Sequence, residues 1–487
     1  MTLLHRASSR PATAAAAEGY DTRLTLPLAL GSLLNPINSS MIAVALVPIG
    51  IAFGAPAAQT VWLVTALYLV TAVAQPVVGR VVDLVGPRRP YLVGTALVGV
   101  AGLLGAFAPT LGLLVLARAL LGLGTCAAYP AAMSLVRRAT DRSGEGRGTA
   151  AVLTVLAVTN QVVMIVGPTL GGLLVGLGGW RTLFLVNVPL AVACLVLGGL
   201  RLPRVPGTTD LTVADGAARP SVAARLDVAG VALFAAALTS LMLVLVGATP
   251  WWVLAVTVVT GAGFARHELR TAHPFIDLRL LAGNRPLLLT YARALLTATA
   301  TYAFMFGYVQ WLEQGRGLGE AAAGLLMLPT SVVAVTVASA TGRRAPVRAA
   351  LLVGAASLLV GAAVLAVVQP GSPTWVLVVA GVGIGGMQGL SGLANQKALA
   401  QQADSASVGA AAGLLRTFMY VGALVSTAAI AALYADGPTT TGLHDLALAM
   451  IGCAVAAGVL TLADRSLRRR PAAPTSPPAP TSGENPR

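Results

Sequence analysis

The sequence predicts an all-α polytopic membrane protein with about fourteen transmembrane helices. Three observations predict it. Of the 487 residues, 56% are hydrophobic and only 10% are charged, with a mean hydropathy of +0.81. Soluble domains carry about 25% charged residues, so the deficit excludes an ordinary globular enzyme. The apolar residues also fall in long runs, and roughly 20 such residues suffice for a helix to cross a bilayer. Finally, basic residues gather in alternate connections between the runs, as they do on the cytoplasmic side of membrane proteins.

Taken in order, spans are predicted at 25–52, 60–79, 91–108, 111–134, 150–175, 181–200 and 227–247. They continue at 250–265, 286–312, 320–341, 349–369, 374–401, 407–434 and 443–463. The eighth, WWVLAVTVVTGAGFA, is short, and the Thr249-Pro250 turn separates it from the seventh. Residues 1–24 lack a compact apolar core followed by a cleavage site, so they read as a cytoplasmic segment and the first run should stay in the membrane.

Direction follows from the arginines. With the N terminus inside, the inner connections hold Arg80, Arg88 and Arg89, then Arg137, Arg138, Arg142 and Arg147, then Arg201, Arg204, Arg219 and Arg225. Later ones hold Arg266, Arg270 and Arg279, then Arg343, Arg344 and Arg348, and the C-terminal end adds Arg465 and Arg468 to Arg470. Only Arg181 and Arg316 fall outside, so the C terminus is cytoplasmic as well. Independently, Trp62, Trp180, Trp251, Trp252, Trp311 and Trp375 all fall at outer ends, and tryptophan favours the membrane–water boundary. Residues 465–487 are rich in Pro and Ser and read as a disordered tail, whose arginines are placed to meet anionic lipid.

Several readings are excluded. The net charge of +15 does not mark a nucleic-acid binder, because the arginines are scattered over short loops. Cys126, Cys194 and Cys453 lie in apolar runs and read as small core residues, with no metal set among them. No catalytic cluster, cofactor site or nucleotide loop is evident, so an enzyme and an ATP-driven pump are not expected. Gly381-x-Gly383-x-x-Gly386 matches a dinucleotide fingerprint but lies inside an apolar helix, where close helix contact explains it. Asn38-Ser39-Ser40 has the form of a glycosylation acceptor, but within the membrane.

The stretch GRVVDLVGPRRP (79–90) carries more than topogenic charge. Its pattern Gly79-x-x-x-Asp83-x-x-Gly86-x-Arg88-Arg89 resembles the loop between the second and third helices of the major facilitator superfamily. Arg118, four residues before Gly122-x-Gly124, resembles that superfamily's fourth-helix motif. Gly167-Pro168-x-x-Gly171-Gly172 is similar to its antiporter signature. Trp180-Arg181-x-x-Phe184-x-x-Asn187-x-Pro189, PFIDLRLL (274–281) and GLLMLP (324–329) resemble strings of the fourteen-helix drug:proton antiporter branch.

The resemblance implies two six-helix halves, 25–200 and 286–464, around a central cavity, with a linker and inserted helix pair in 201–285. It implies gating by Gly79, Asp83, Gly86, Arg88 and Arg89, with small residues allowing close approach and Asp83 capping or pairing with arginine. Gly342 to Arg348 stands where a second copy of that loop belongs and lacks the Asp, so the two gates should differ.

Ionisable residues inside spans are functional candidates by default. Arg118 should face the cavity, Arg416 lies deep in the thirteenth run, and Arg293 and Lys397 read as snorkelling or structural. Asn38, Asn160, Gln161, Gln388 and Asn395 are polar candidates along the path, and Tyr302, Phe304, Phe306 and Tyr308 give the ninth run an aromatic section. The branch usually has an Asp where this chain has Asn38, and an arginine where it has Met419. No Asp, Glu or His lies in the middle of a span; Glu313 is close to an outer end.

The expected function is alternating-access export of a hydrophobic small molecule, drug- or antibiotic-like, across the cytoplasmic membrane. Arginines without carboxylates should repel cations, so neutral or anionic substrates are expected. Protons enter as the coupling ion through the resemblance alone. An uncoupled metabolite exporter or uniporter is the alternative transporter, and a non-transporting receptor or assembly protein the alternative class. A monomer in lipid is expected.

Overall fold

A computed structural model describes residues 24–132, 134–135, 163, 166–204, 227–246, 250–271, 274, 276, 278–341, 345–403 and 408–468. Gln161, Asn160, Arg137 to Arg147, Gly342 to Arg344 and the Pro/Ser-rich tail lie outside the described residues. Within them the regular structure is helical throughout. The helices are α1 (Leu26–Phe53), α2 (Trp62–Val85), α3 (Arg88–Ala106), α4 (Leu111–Ala132), α5 (Val166–Gly178) and α6 (Thr182–Arg201). They continue as α7 (Val228–Val246), α8 (Trp251–Glu268), α9 (Arg285–Tyr302), α10 (Glu320–Thr341), α11 (Val347–Leu365), α12 (Thr374–Gln402), α13 (Val408–Leu433) and α14 (Thr440–Ala463).

Among the described residues, 10 helices are long and apolar enough to cross a membrane, α5 and α7 being shorter apolar helices. Three helix starts are capped by a local side chain. Thr110 Oγ1 accepts the Leu113 N–H at α4, Asn284 Oδ1 the Leu287 N–H at α9, and Thr439 Oγ1 the Gly442 N–H at α14. Each satisfies one of the first-turn donors that a helix leaves open. Outward faces are apolar, as lipid demands: Val93 and Val100 on α3 are exposed, seven residues apart on one face.

Inward faces are built from small residues. A Cβ on Gly94 would stand 2.5 Å from the Gly124 carbonyl, and one on Gly383 would stand 2.7 Å from Gly361 Cα. Of the glycines that resemble a nucleotide fingerprint, Gly383 and Gly386 are contacts of α12 with α11, and Gly381 meets Thr330 of α10. With lipid outside, such close backbone packing replaces the hydrophobic drive that folds soluble bundles.

α1 to α4 and α6 pack on one another, and so do α9 to α14. α7 and α8 pair together, and α7 leans on both α2 and α13, along the seam where the two groups meet.

Four expectations need correction. The stretch 79–90 is mostly helix: α2 runs to Val85, α3 begins at Arg88, and the break is Gly86-Pro87. Gly86 has φ of 85°, a left-handed value that only glycine adopts freely. Gly79 is not a close-contact residue, since a Cβ there would meet nothing within 4 Å. Trp251, Trp252 and Trp375 are exposed at helix ends, but Trp180 and Trp311 are buried against the rings of Phe184 and Tyr308. Finally, α9 does not run on as a regular helix: Ala303–Tyr308 and Trp311–Gly315 are π-helical.

Candidate functional site

Pro36 sits inside α1, and just after it Ile42–Ala45 tightens into a 3-10 turn. Proline cannot donate to the ladder, and the hydroxyls of Ser39 and Ser40 bond back to the carbonyls of Asn35 and Pro36 (2.6 Å each). This irregular stretch presents Asn38. Its Nδ2 donates to Asn187 Oδ1 (2.5 Å), and Asn187 Nδ2 donates back to Asn38 Oδ1 (2.9 Å). Asn38 thus joins α1 to α6 by a reciprocal amide pair. That pair needs an amide at both positions, which accounts physically for Asn in the acidic place.

Arg118 was expected to face a cavity. It is 1% exposed and lies against α1 and α2, where Nε donates to the Leu63 carbonyl (2.9 Å) and Nη1 to the Asn38 carbonyl (2.8 Å). Its Nη2 has no partner. Beside it Asn38, Met41, Ile42, Leu183 and Phe184 close a void of about 10 Å³, room for one water.

The two helix groups meet along α2 and α13. Thr65 Oγ1 donates to Thr427 Oγ1 (3.2 Å) near the start of α2, and Tyr420 Oη donates to Gln75 Oε1 (3.4 Å) nearer its end. Between them lies an aromatic cluster. The Tyr68 ring is 5.0 Å from Tyr302 on α9, 5.8 Å from Tyr420 on α13 and 6.5 Å from Phe306, and Tyr302 stacks on Phe306 at 5.8 Å. Edge and stacked geometries of this kind suit aromatic and apolar guests as well as one another. One turn before Tyr420, the Arg416 guanidinium sits 3.5 Å from the ring centre of Tyr129. This cation–π contact again joins the two groups.

The candidates on α12 stand apart from this cluster. Gln388 and Asn395 lie two turns apart on one face; Gln388 is half-buried, and Asn395 is buried with Oδ1 unpartnered. Lys397 is half-buried beside a second void of about 10 Å³. Arg293 is buried and pairs with Asp464 (3.0 Å), bracing α9 against the end of α14, so it does not snorkel.

The antiporter-like motif packs α5 against α1 and α10. A Cβ on Gly167 would overlap Ser40 of α1, and one on Gly171 would stand 2.8 Å from the Met41 carbonyl. One on Gly172 would stand 2.6 Å from the Glu320 carbonyl and 3.0 Å from Gly324 Cα, both on α10. Pro168 presents its carbonyl to Gly324, and Thr169 Oγ1 donates to the Gly324 carbonyl (2.9 Å).

The loop arginines reach elsewhere. Arg88 Nη2 donates to the Gly199 carbonyl (2.6 Å) in the last turn of α6, where a cation is favoured. Arg89 is exposed, and Arg80 donates to the Pro274 carbonyl in the segment that follows α8. In that segment the Ile276 N–H donates to Glu268 Oε2 (3.1 Å), and His267 bonds Asp227 (2.7 Å). Asp83 lies in the last turn of α2, upstream of the break.

Sequence reading did not single out the partners Tyr68, Tyr420, Tyr129 and Asp464, and it read Asn187 only as part of a motif. Each is identified by a contact across tens to hundreds of residues, for which no local spacing rule exists.

Comparison with known proteins agrees with this architecture. A profile of the Major Facilitator Superfamily matches residues 28–427. The uncharacterized MFS-type transporter YwoD of Bacillus subtilis is 31% identical over 434 residues, 87% of this chain and 92% of that protein. The lincomycin resistance protein of Streptomyces lincolnensis is 33% identical over 331 residues, 67% of this chain and 66% of its own. The multidrug efflux pump LfrA of Mycolicibacterium smegmatis is 29% identical over 419 residues, 84% and 79% of the two chains. A family profile spanning most of the chain, over an all-helical bundle with glycine-built seams, leaves one assignment: the chain belongs to the major facilitator superfamily of multi-pass membrane transporters.

Proposed function

We propose that the protein is a fourteen-helix exporter with both termini cytoplasmic, moving a hydrophobic neutral or anionic small molecule by alternating access and driven by protons. One observation carries the substrate class. The aromatic cluster of Tyr68, Tyr302, Phe306 and Tyr420 lies between the two helix groups, flanked by Arg416. Among the described residues, its ring contacts and hydrogen bonds involve no carboxylate. Uncovered when the halves part, these buried rings receive apolar groups, Arg416 attracts anionic ones, and no carboxylate neutralises a cation there. The relatives whose names record multidrug efflux and lincomycin resistance support export of drug-like molecules.

In this reading 25–200 and 286–464 are the rocking halves, 201–285 carries the inserted pair, and 1–24 and 465–487 are cytoplasmic. The Gly86 break and Arg80 form part of the inner latch, and Gly172 against Gly324 part of the outer one. The relevant test uses purified protein in liposomes, with Nile red as a neutral probe and methyl viologen as a dication. Nile red should move, faster under an imposed pH gradient, and methyl viologen should not. Strong methyl viologen transport abolished by Arg118→Ala overturns the substrate class. Nile red transport indifferent to the gradient favours the uncoupled exporter, and no transport of any probe favours the receptor reading.

A further inference from the structure

The ninth helix departs from α-helical geometry in its outer part, and the departure buries an acid. Trp311–Gly315 forms a π-helical turn that carries Glu313. Such turns recur at functional positions, because the extra residue re-aims side chains. Glu313 is 8% exposed, and neither of its carboxylate oxygens has a hydrogen-bond partner. Five residues earlier, the Tyr308 hydroxyl is buried and unpartnered as well.

The surroundings explain why this arrangement is conditional. Trp311 stacks on Tyr308 at 6.2 Å, and its Nε1 donates to Thr440 at the start of α14. Gly315 abuts the Pro438 carbonyl. The charged groups of the packed elements offer no compensation. Glu320, in the first turn of α10, is the charged side chain whose field reaches Glu313, and it repels a carboxylate. On the connection before α14, Asp436 is exposed, and on α14 itself Asp445 is exposed while His444 bonds the Val368 carbonyl (2.8 Å). Arg316, three residues on, gives Nη1 to the Ser372 carbonyl (2.7 Å). A full negative charge left unpaired in such a place costs several kcal/mol, whereas a protonated carboxyl costs far less.

We infer that Glu313 is a proton-binding site at the outer gate: its carboxylate takes a proton from the outer water while the halves are parted, and only the neutral acid is carried into the closed state described here. The step is an acid–base one. A carboxylate oxygen gains the proton from the outer water while the halves are parted, keeps it through closure and returns it to that water on reopening, so this step sets closure by pH and carries no net proton across. The inference rests on the alternating-access reading, and it gives that reading an outer acid where the middle of the spans supplies none.

The test uses the full chain in liposomes. Dicyclohexylcarbodiimide, which modifies protonated buried carboxyls, should label the peptide containing Glu313 at low outer pH and progressively less as the pH rises. In parallel, Thr427→Cys, buried under the outer seam, is probed with an impermeant maleimide from outside. Its labelling should rise by about tenfold per pH unit where proton uptake is linked to closure. Adding Glu313→Gln, permanently neutral, should keep it low across the range, and that comparison removes the thiol's own pH dependence. Glu313→Asp should restore the pH response. Failure of carbodiimide to label Glu313 at any pH, or a Glu313→Gln protein that tracks the parent, overturns the inference. If labelling of Thr427→Cys stays low even when Gly172→Val forces the outer seam apart, alternating access itself fails, and the carbodiimide result alone decides the protonation of Glu313.

Discussion

Placing alanine at Gly172 is the sharpest test of how the outer half stays shut. The added Cβ would lie 3.0 Å from Gly324 Cα and 2.6 Å from the Glu320 carbonyl. Carbon pairs prefer about 3.5–4.0 Å, so α5 and α10 must part by about 0.5–1 Å. No flexible side chain can yield, because both obstructing atoms are backbone. Overpacking of this kind costs about 1–3 kcal/mol, here charged only to the state in which α5 and α10 touch, which is about 5- to 150-fold in the closed-to-open ratio. The Thr169 to Gly324 hydrogen bond would be stretched by the same motion. The assay is maleimide labelling of Thr427→Cys from the outer side, with and without Gly172→Ala, in detergent-free liposomes. Labelling should accelerate within that range, and Gly324→Ala should act alike. Unchanged labelling, with the protein still folded and monodisperse, would mean that the Gly172–Gly324 contact does not hold the outer half closed.

Three further outcomes follow from the contacts. Asn187→Leu leaves the Asn38 amide buried with half its pair gone, and should lower stability by about 1–3 kcal/mol in thermal melts. A double variant with Asn38→Leu should recover part of that loss, and strictly additive losses would deny the coupling. Arg293→Met leaves Asp464, itself 1% exposed, without its cation and with only Gln402 and Ser466 as hydrogen-bond donors, which should cost about 3 kcal/mol, the low end for breaking a buried ion pair. Asp464→Leu in the same chain should restore part of the melting temperature, and a single variant as stable as the wild type would contradict the pairing. At the inner end of α8, burial pushes the Glu268 carboxyl above the ordinary carboxylate range, against the pull of the Ile276 N–H. Glu268 in the folded chain therefore holds its proton more tightly than a free carboxyl does. Docking should be firmest at low pH and weaken as pH climbs from about 4.3 through the raised value. Hydrogen exchange at Ile276, compared between the wild type and Glu268→Gln, should show that pH trend only in the wild type.

How far each residue could be read from the sequence depended on whether its role is local. Gly86 was legible, because a break between apolar helices needs a glycine at φ of 85° whatever surrounds it. Gly172 was legible as a motif, but its partner Gly324 was not, since the contact joins helices 152 positions apart in number. Arg118 was legible as a cation within a span, and was expected at a cavity. Its ties to the Leu63 and Asn38 carbonyls were not, because they depend on the irregular backbone that α1 adopts after Pro36. Glu313 looked like an ordinary outer-end acid. Only the π-helical turn, invisible in any spacing of apolar residues, turns it into the protein.

By itself the sequence determined what lipid enforces: apolar runs long enough to cross, arginines gathered in alternate connections between them, and glycine where helices must touch. Those constraints act residue by residue, through the cost of placing a charge or an unpaired peptide group in hydrocarbon. The tertiary structure decided which small faces meet and which polar groups pair: Asn38 with Asn187, Arg293 with Asp464, Tyr68 with Tyr302 and Tyr420. The physical reason is that packing energies arise between surfaces brought together by the whole fold. A residue's chemistry fixes what it can bond, and its neighbours in space fix what it does.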